Sequence, residues 1–348
     1  TTSLQQGLLL QAALDQKNGH YLNQLRITLV HDFNPERLKN AWAQVISRHT
    51  ILRTSFHNLE GGTLVQVVHR DTRLPWVEYD WSTSSDYTQQ FDALMAEDRA
   101  VGFDTGRAPL IRLHCIIRPD GAYDLLWTFH HAVLDGWSVG EILSEVLTLY
   151  RDGSQAVLPL AQPYRNYVLK TQDRETSTSW WRKRLADVRD PGSLTEALGT
   201  PQHLEDGFGL RYHRLTEDLS ARLSLRAQEL GVTTHTILQA AWACVLSRFS
   251  GRSQIAMGTT FTQQQPGGGL DGSLVGLQIQ TLPLWVDVAP QMPLAGWLQT
   301  LQKLNGEVRA HCDITLSDIQ NLSGLSQSGR FDSLLIYQNY TLDTIGKA

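Results

Sequence analysis

Cysteine is scarce: the 348 residues hold three, Cys115, Cys244 and Cys312. They are odd in number and widely spaced, which argues against a disulfide framework and against a zinc cluster. The chain also lacks any apolar run near the roughly 20 residues needed to cross a bilayer. Its opening, TTSLQQGLLLQAAL, has neither the basic region nor the long apolar core of a signal peptide. No membrane partner is expected, and the expected location is cytoplasmic. Long blocks of one charge are missing too. A net charge of -5 spread along the chain leaves no electrostatic footprint for nucleic acid. The loop QQQPGGGLDG, with Gly267, Gly268 and Gly269, lacks the G-x-x-x-x-G-K pattern of a phosphate cradle and is expected to be a surface loop. There is no initiating Met, so the chain reads as a segment of something longer.

What is present is ample core material. Hydrophobic residues make up 41% of the chain, and its length suits two domains. PERLKNAWAQVISRHT places Leu38, Trp42, Val45, Ile46 and His49 on one helical face and leads into a strand candidate, ILRTSFHN. Further on, Pro119-Asp120-Gly121 separates two apolar runs, which predicts a hairpin. A helix follows, with Val139, Ile142, Leu143, Val146, Leu147 and Tyr150 at helical spacing, until Arg151-Asp152-Gly153 ends the pattern. LKNAWAQVISR around Trp42 is echoed by LQAAWACVLSR around Trp242, each followed by a strand candidate, which predicts two similar lobes.

The segment YDLLWTFHHAVLDGW sits at the junction of that hairpin and that helix. Strand alternation sends His130 and His131 to opposite faces, so only one can face a given cavity. The Asp-Gly turn breaks any helical pairing of His131 with Asp135, and no third ligand lies nearby, which weighs against a metal site. A histidine at a strand end suits a general base, because its unperturbed pKa of roughly 6.5 leaves imidazole neutral at cytosolic pH. Asp135 could fix the turn by pairing with an arginine. Gly136 lets backbone approach a reacting atom, and the helix behind it offers N–H donors to an oxyanion.

SLQQGLL from Ser3, RHTILRTSF from Arg48, FDTGRAPLIRLHCI from Phe103, HHAVLDG from His130, PYRNYV from Pro163, VGLQIQTLPL from Val275 and FDSLLIYQNY from Phe331 form an ordered set of motifs. In that set the chain resembles a condensation domain of a nonribosomal peptide synthetase, within the chloramphenicol acetyltransferase superfamily. The resemblance implies an α/β fold of two acetyltransferase-like lobes, residues 1–175 carrying the HHxxxDG motif and residues 176–348 forming the second, in a V-shaped pseudo-dimer with a central tunnel. It implies that His131 is catalytic, that His130 is structural, that Asp135 is braced by an arginine, Arg53 being the expected partner, and that Gly136 offers its N–H to a tetrahedral intermediate. No cofactor of the domain's own is implied. The substrates would ride on the 4'-phosphopantetheine arms of an upstream donor carrier and a downstream acceptor carrier, with an adenylation domain adjacent in the same synthetase.

Three departures stand out. Thr262-Gln263-Gln264 occupies the place of the family's Ser-Gly-Arg, so an arginine that could brace Asp135 is missing. Gln280 replaces the usual Asn, and AHCDITLSDIQ replaces the pattern His-Gln-Asp-x-Pro-Phe. ITLSDIQ and FDSLLIYQ are similar to fungal members that assemble siderophores or cyclic peptides, and the chain stops short of the last elements expected of the second lobe. Two other functions are alternatives: a chain-terminating or ester-forming acyltransferase with a free acceptor, and a silent module that recruits carriers or tailoring enzymes, against which stands His131, the motif histidine that such modules typically lose.

Overall fold

A computed structural model of the chain describes residues 1–14, 21–29, 33–171, 174–188, 194–199, 209–262, 272–323 and 331–338. The fold is α/β, in two compact units. The first holds the described residues up to Thr171 together with 272–278, and the second holds 174–262 and 279–338. Residues 272–278 therefore group with the first unit, although the expected division at 175/176 put them in the second lobe. The QQQPGGG stretch, 263–269, lies outside the described residues.

The first unit contains α1 (Ser3–Leu14), β1 (Leu22–Leu29), α2 (Pro35–Arg48), β2 (Thr54–Asn58), β3 (Leu64–Val68), β4 (Trp76–Asp80), α3 (Tyr87–Val101), β5 (Ile111–Ile117), β6 (Tyr123–His130), α4 (Gly136–Asp152) and α5 (Tyr164–Lys170). A four-stranded sheet runs β1-β6-β5-β4, with only the β4–β5 pair parallel, and β2 and β3 form a separate antiparallel hairpin. The predicted β5–β6 hairpin forms about Gly121, whose φ of +79° suits the turn, and Arg118 N–H donates to Ala122 O at 2.9 Å. The strand predicted over ILRTSFHN begins late. Thr50–Arg53 is a 3-10 turn, and consecutive burial of Ile51 and Leu52 fits a turn better than the alternation of a strand.

Alternation gives the sheet two different faces. Leu25, Ile27, Leu113, Cys115, Leu125, Trp127 and Phe129 point into a core shared with Trp42, Val45 and Ile46 of α2 and Val139, Ile142 and Val146 of α4. Helix α2 starts at Pro35, which takes the first helical position, and the Asn34 side chain caps it by accepting from Arg37 N–H. It is tied to α4 where Glu145 Oε2 accepts from Arg48 Nε at 3.0 Å and lies 2.8 Å from His49 Nε2. The opposite face lies under α3 and is mixed, with Ile116 and Leu126 packed on Phe91 and Leu94 of α3 beside a buried polar cluster. There the buried Asp98 accepts from Arg112 Nε at 2.7 Å, Thr128 Oγ1 at 2.6 Å and Gln24 Nε2 at 3.0 Å, with His114 Nε2 at 3.1 Å. Asp124 on the same face accepts from Arg26, Thr28 and Tyr87.

The second unit contains α6 (Glu175–Leu185), α7 (Leu194–Leu198), α8 (Glu217–Leu230), α9 (Thr234–Ser250), β7 (Gln254–Thr262), β8 (Ile279–Asp287), α10 (Leu294–Ala310), α11 (Leu316–Ser323) and β9 (Leu334–Leu335), with strand order β8-β7-β9. The repeated sequence forms α2 in one unit and α9 in the other, each leading to a strand. The two tryptophans differ. Trp42 is fully buried, whereas Trp242 is half-buried and donates from Nε1 to Ser333 Oγ at 2.6 Å. His311 stacks on Trp180 with centroids 4.8 Å apart, and Trp181 Nε1 donates to its carbonyl.

Burial pushes the Asp98 carboxyl up, but hydrogen bonds from His114, Arg112 and Thr128 and the Arg112 charge outweigh it and hold the group well below the usual range. A depressed folded-state pKa contributes stability that is complete above the unfolded value, about 3.9, and is lost as pH falls through the lower folded value. Urea unfolding between pH 7 and 3 should therefore show the wild type losing more stability on acidification than Asp98→Asn. Parallel pH dependences would contradict this account.

Candidate functional site

Strand β6 ends at His130, and the chain turns at once, with Val133 N–H bonding His130 O at 3.1 Å. The expectation that both histidines sit in extended chain is met only by the first. His130 is 2% exposed, and its Nδ1 accepts from Ala132 N–H at 3.0 Å, which leaves the ring proton on Nε2. Burial, and then the neighbouring His131, lower its pKa to about 4, so it stays neutral near pH 7. Its Nε2 has no partner among the described residues, consistent with packing rather than proton transfer.

His131 is partly exposed and differently wired. Its Nδ1 lies 2.7 Å from the carbonyl oxygen of Leu134. A carbonyl can only accept, so the proton must be on Nδ1, and the Nε2 lone pair is left available. Its backbone N–H donates to Tyr21 O at 2.7 Å, and the next carbonyl, of Ala132, accepts from Gln5 Nε2 at 2.9 Å. One ring nitrogen is thus anchored and the other has no partner among the described residues, an arrangement chemically able to accept a proton.

Asp135 caps α4 through its side chain, which accepts from Ser138 N–H at 2.9 Å. The second carboxylate oxygen accepts from Gln278 N–H at 2.9 Å. Burial pushes the carboxyl up and these two N–H groups oppose it. The expected arginine brace is not what the structure contains. Arg53 donates from Nη1 to the carbonyls of His69 and Arg70, and among the described residues Asp135 has no ion pair. Two backbone N–H groups satisfy the carboxylate where the sequence pointed to a guanidinium. Gln263 and Gln264, at the site of the missing family arginine, lie outside the described residues.

The segment 274–278 is fastened at four further points. Ser138 Oγ donates to Gly276 O at 2.7 Å and accepts from Gly276 N–H at 3.0 Å. Tyr164 and Tyr167 of α5 donate to the carbonyls of Leu277 and Gln278 at 2.6 and 3.1 Å. Gly276 has a φ of +151°, and a Cβ there would come 2.2 Å from the Tyr164 ring, so only glycine fits. Gly136 is the first residue of α4, where an N–H has no acceptor within the helix. Among the described residues, no group of three or more His, Cys, Asp or Glu is placed to hold a metal ion, and no helix is long and apolar enough to cross a membrane.

The description "Condensation domain" matches residues 1–347. The chain belongs to the condensation domain family. A linear gramicidin synthase of Brevibacillus parabrevis is 33% identical over 356 residues, covering 98% of this chain and 5% of that protein. Bacitracin synthase 3 of Bacillus licheniformis is 30% identical, again over 98% of this chain and 5% of the relative. This condensation domain thus spans about one-twentieth of the length of those curated relatives. Such relatives are bacterial, which gives the fungal likeness no support. In fold the domain is similar to the starter condensation domain of rhizomide synthetase RzmA, solved as a mutant with C8-CoA and Leu-SNAC. Its TM-score is 0.77 at 18% identity, over 96% of this chain and 77% of that one.

Ser138, Gly276, Gln278, Gln5 and Tyr21 were not identified as site residues from sequence. SLQQGLL and VGLQIQTLPL do stand out as motifs, but nothing local says that both close on the histidine turn. Asp135→Asn should destabilise the first unit by about 1–3 kcal/mol, because its NH2 must face one of the two N–H donors and leave it unpaired. Denaturant unfolding of the purified variant measures this, and wild-type stability would refute it.

Proposed function

We propose that this condensation domain joins a donor acyl or peptidyl thioester to the α-amine of an acceptor aminoacyl thioester, both tethered to carrier proteins by phosphopantetheine. The observation carrying this reading is the wiring of His131: Nδ1 is bonded to the Leu134 carbonyl, and Nε2 has no partner among the described residues. Family membership supplies the substrate class. An α-amine has a pKa near 7.7, so part of it is already neutral at cytosolic pH and need not be deprotonated before attack. Nε2 of His131 then orients the amine or takes its proton as the tetrahedral intermediate forms. Gly136 N–H, at the positive end of α4, stabilises the oxyanion. Collapse of the intermediate expels the donor thiolate and leaves an amide on the acceptor carrier.

The proposal includes the family's V-shaped pair of lobes, residues 1–175 and 176–348, and a tunnel reached by two carrier arms. It also includes flanking carrier and adenylation domains in a longer synthetase. The family match supports these points, as does the small share of each relative that the chain spans.

Mixing the domain with a loaded donor carrier and a loaded acceptor carrier, followed by mass spectrometry of the acceptor, tests the reaction. His131→Ala should lower amide formation by about 10²–10⁴-fold with the fold retained. Near-wild-type turnover would overturn the role of His131. Transfer only to a free acceptor would replace the reading with a chain-terminating acyltransferase, and no transfer by the wild type would favour a silent recruitment module.

A further inference from the structure

The peptide group entering His131 and the one leaving Ala132 are both held by the N-terminal segment. The His131 N–H donates to Tyr21 O, and the carbonyl of Ala132 accepts from the side chain of Gln5 on α1. Gln5 is fully buried, with no exposed surface. Its Oε1 accepts from Thr2 N–H at 2.9 Å and Gln66 Nε2 at 2.8 Å. The Thr2 N–H can only donate, so that position must be the oxygen, and the NH2 must face Ala132. Gln66 on β3 thereby orients Gln5, and Gln5 fixes the turn carrying His131.

The consequence reaches the imidazole because its tautomer depends on the same turn. Nδ1 is protonated only while the Leu134 carbonyl, three residues on, stays 2.7 Å away. The chain between His131 and Leu134 includes Ala132, whose carbonyl accepts from Gln5 of α1. We infer that Gln5 is a positioning residue for the acyl-transfer step: it keeps the His131 turn in the geometry that holds Nδ1 on the Leu134 carbonyl and leaves Nε2 without the proton. This rests on the amide-forming reading for its effect on rate, while its effect on the tautomer is independent of that reading.

Gln5→Met keeps the length of the side chain and removes the donor to Ala132. Histidine-labelled protein gives 15N NMR signals that separate the Nδ1–H from the Nε2–H tautomer, with His131 assigned by the loss of its signals in His131→Ala. The wild type should show Nδ1–H for His131. Gln5→Met should show a mixture, with kcat for amide formation lowered between about ten- and a hundredfold and KM for the carrier-bound substrates unchanged. Gln66→Met, which removes only the group that orients Gln5, should shift both readouts in the same direction by less. It also serves if Gln5→Met does not fold. Gln6→Leu, on the exposed side of the same helix, should leave both at wild-type values. A folded Gln5→Met or Gln66→Met with an unchanged tautomer and kcat overturns the inference. A changed tautomer in a protein whose wild type forms no amide supports the positioning role and overturns the amide-forming reading alone.

Discussion

A single buried carboxylate organises the first unit around its histidine. Among the described residues no cation accompanies Asp135 out of water, and two backbone N–H groups offset part of the lost hydration. One belongs to the helix it caps, and the other to a segment more than a hundred residues away. Removing an ionised carboxylate from water costs several kcal/mol, so the arrangement persists only while both donors are in place. The turn, the start of α4 and residues 274–278 are therefore interdependent. Ser138 reinforces the same junction by donating to and accepting from Gly276.

The two histidines divide their work by environment. His130, enclosed at the end of β6, uses its Nδ1 to hold the turn and stays neutral because burial disfavours its charge. His131, one residue later and past the strand, anchors the opposite way, with Nδ1 as donor. Adjacent residues of the same type thus present different tautomers. The difference arises from which backbone group each ring meets: an N–H in one case and a carbonyl in the other.

The sheet shows the same economy at larger scale. One face packs Trp127, Phe129 and Ile111 against α2 and α4, and the other carries Asp124 with Arg26, and Arg112 bonded to Asp98 of α3. Charged residues in a central strand do not suggest burial when read alone. Asp124 and Thr128 lie on one face of β6, where Asp124 accepts from Arg26 and Thr128, beside its cross-strand neighbour Arg112, donates to Asp98 of α3. The hairpin, the helix after it and the repeated tryptophan helices were legible because their signals are local: turn residues, caps and apolar period.

The sequence by itself placed two histidines, an aspartate and a glycine at one strand-to-helix junction, and the ordered motifs pointed to the family. Strand alternation, which set His130 apart from His131, does not reach the second, because β6 ends at His130 and the chain turns there. The sequence also determined where helix α4 begins, since an Asp-Gly pair caps a helix by short-range hydrogen bonding. Only the tertiary structure decided what holds Asp135. A carboxylate in a sequence calls for a positive partner, and Arg53 was the natural candidate, but backbone N–H groups are invisible to residue type because every residue except proline carries one. The same reason hid Gln5 and Gly276: their partners are a carbonyl and an aromatic ring brought close by folding, at separations no local pattern encodes.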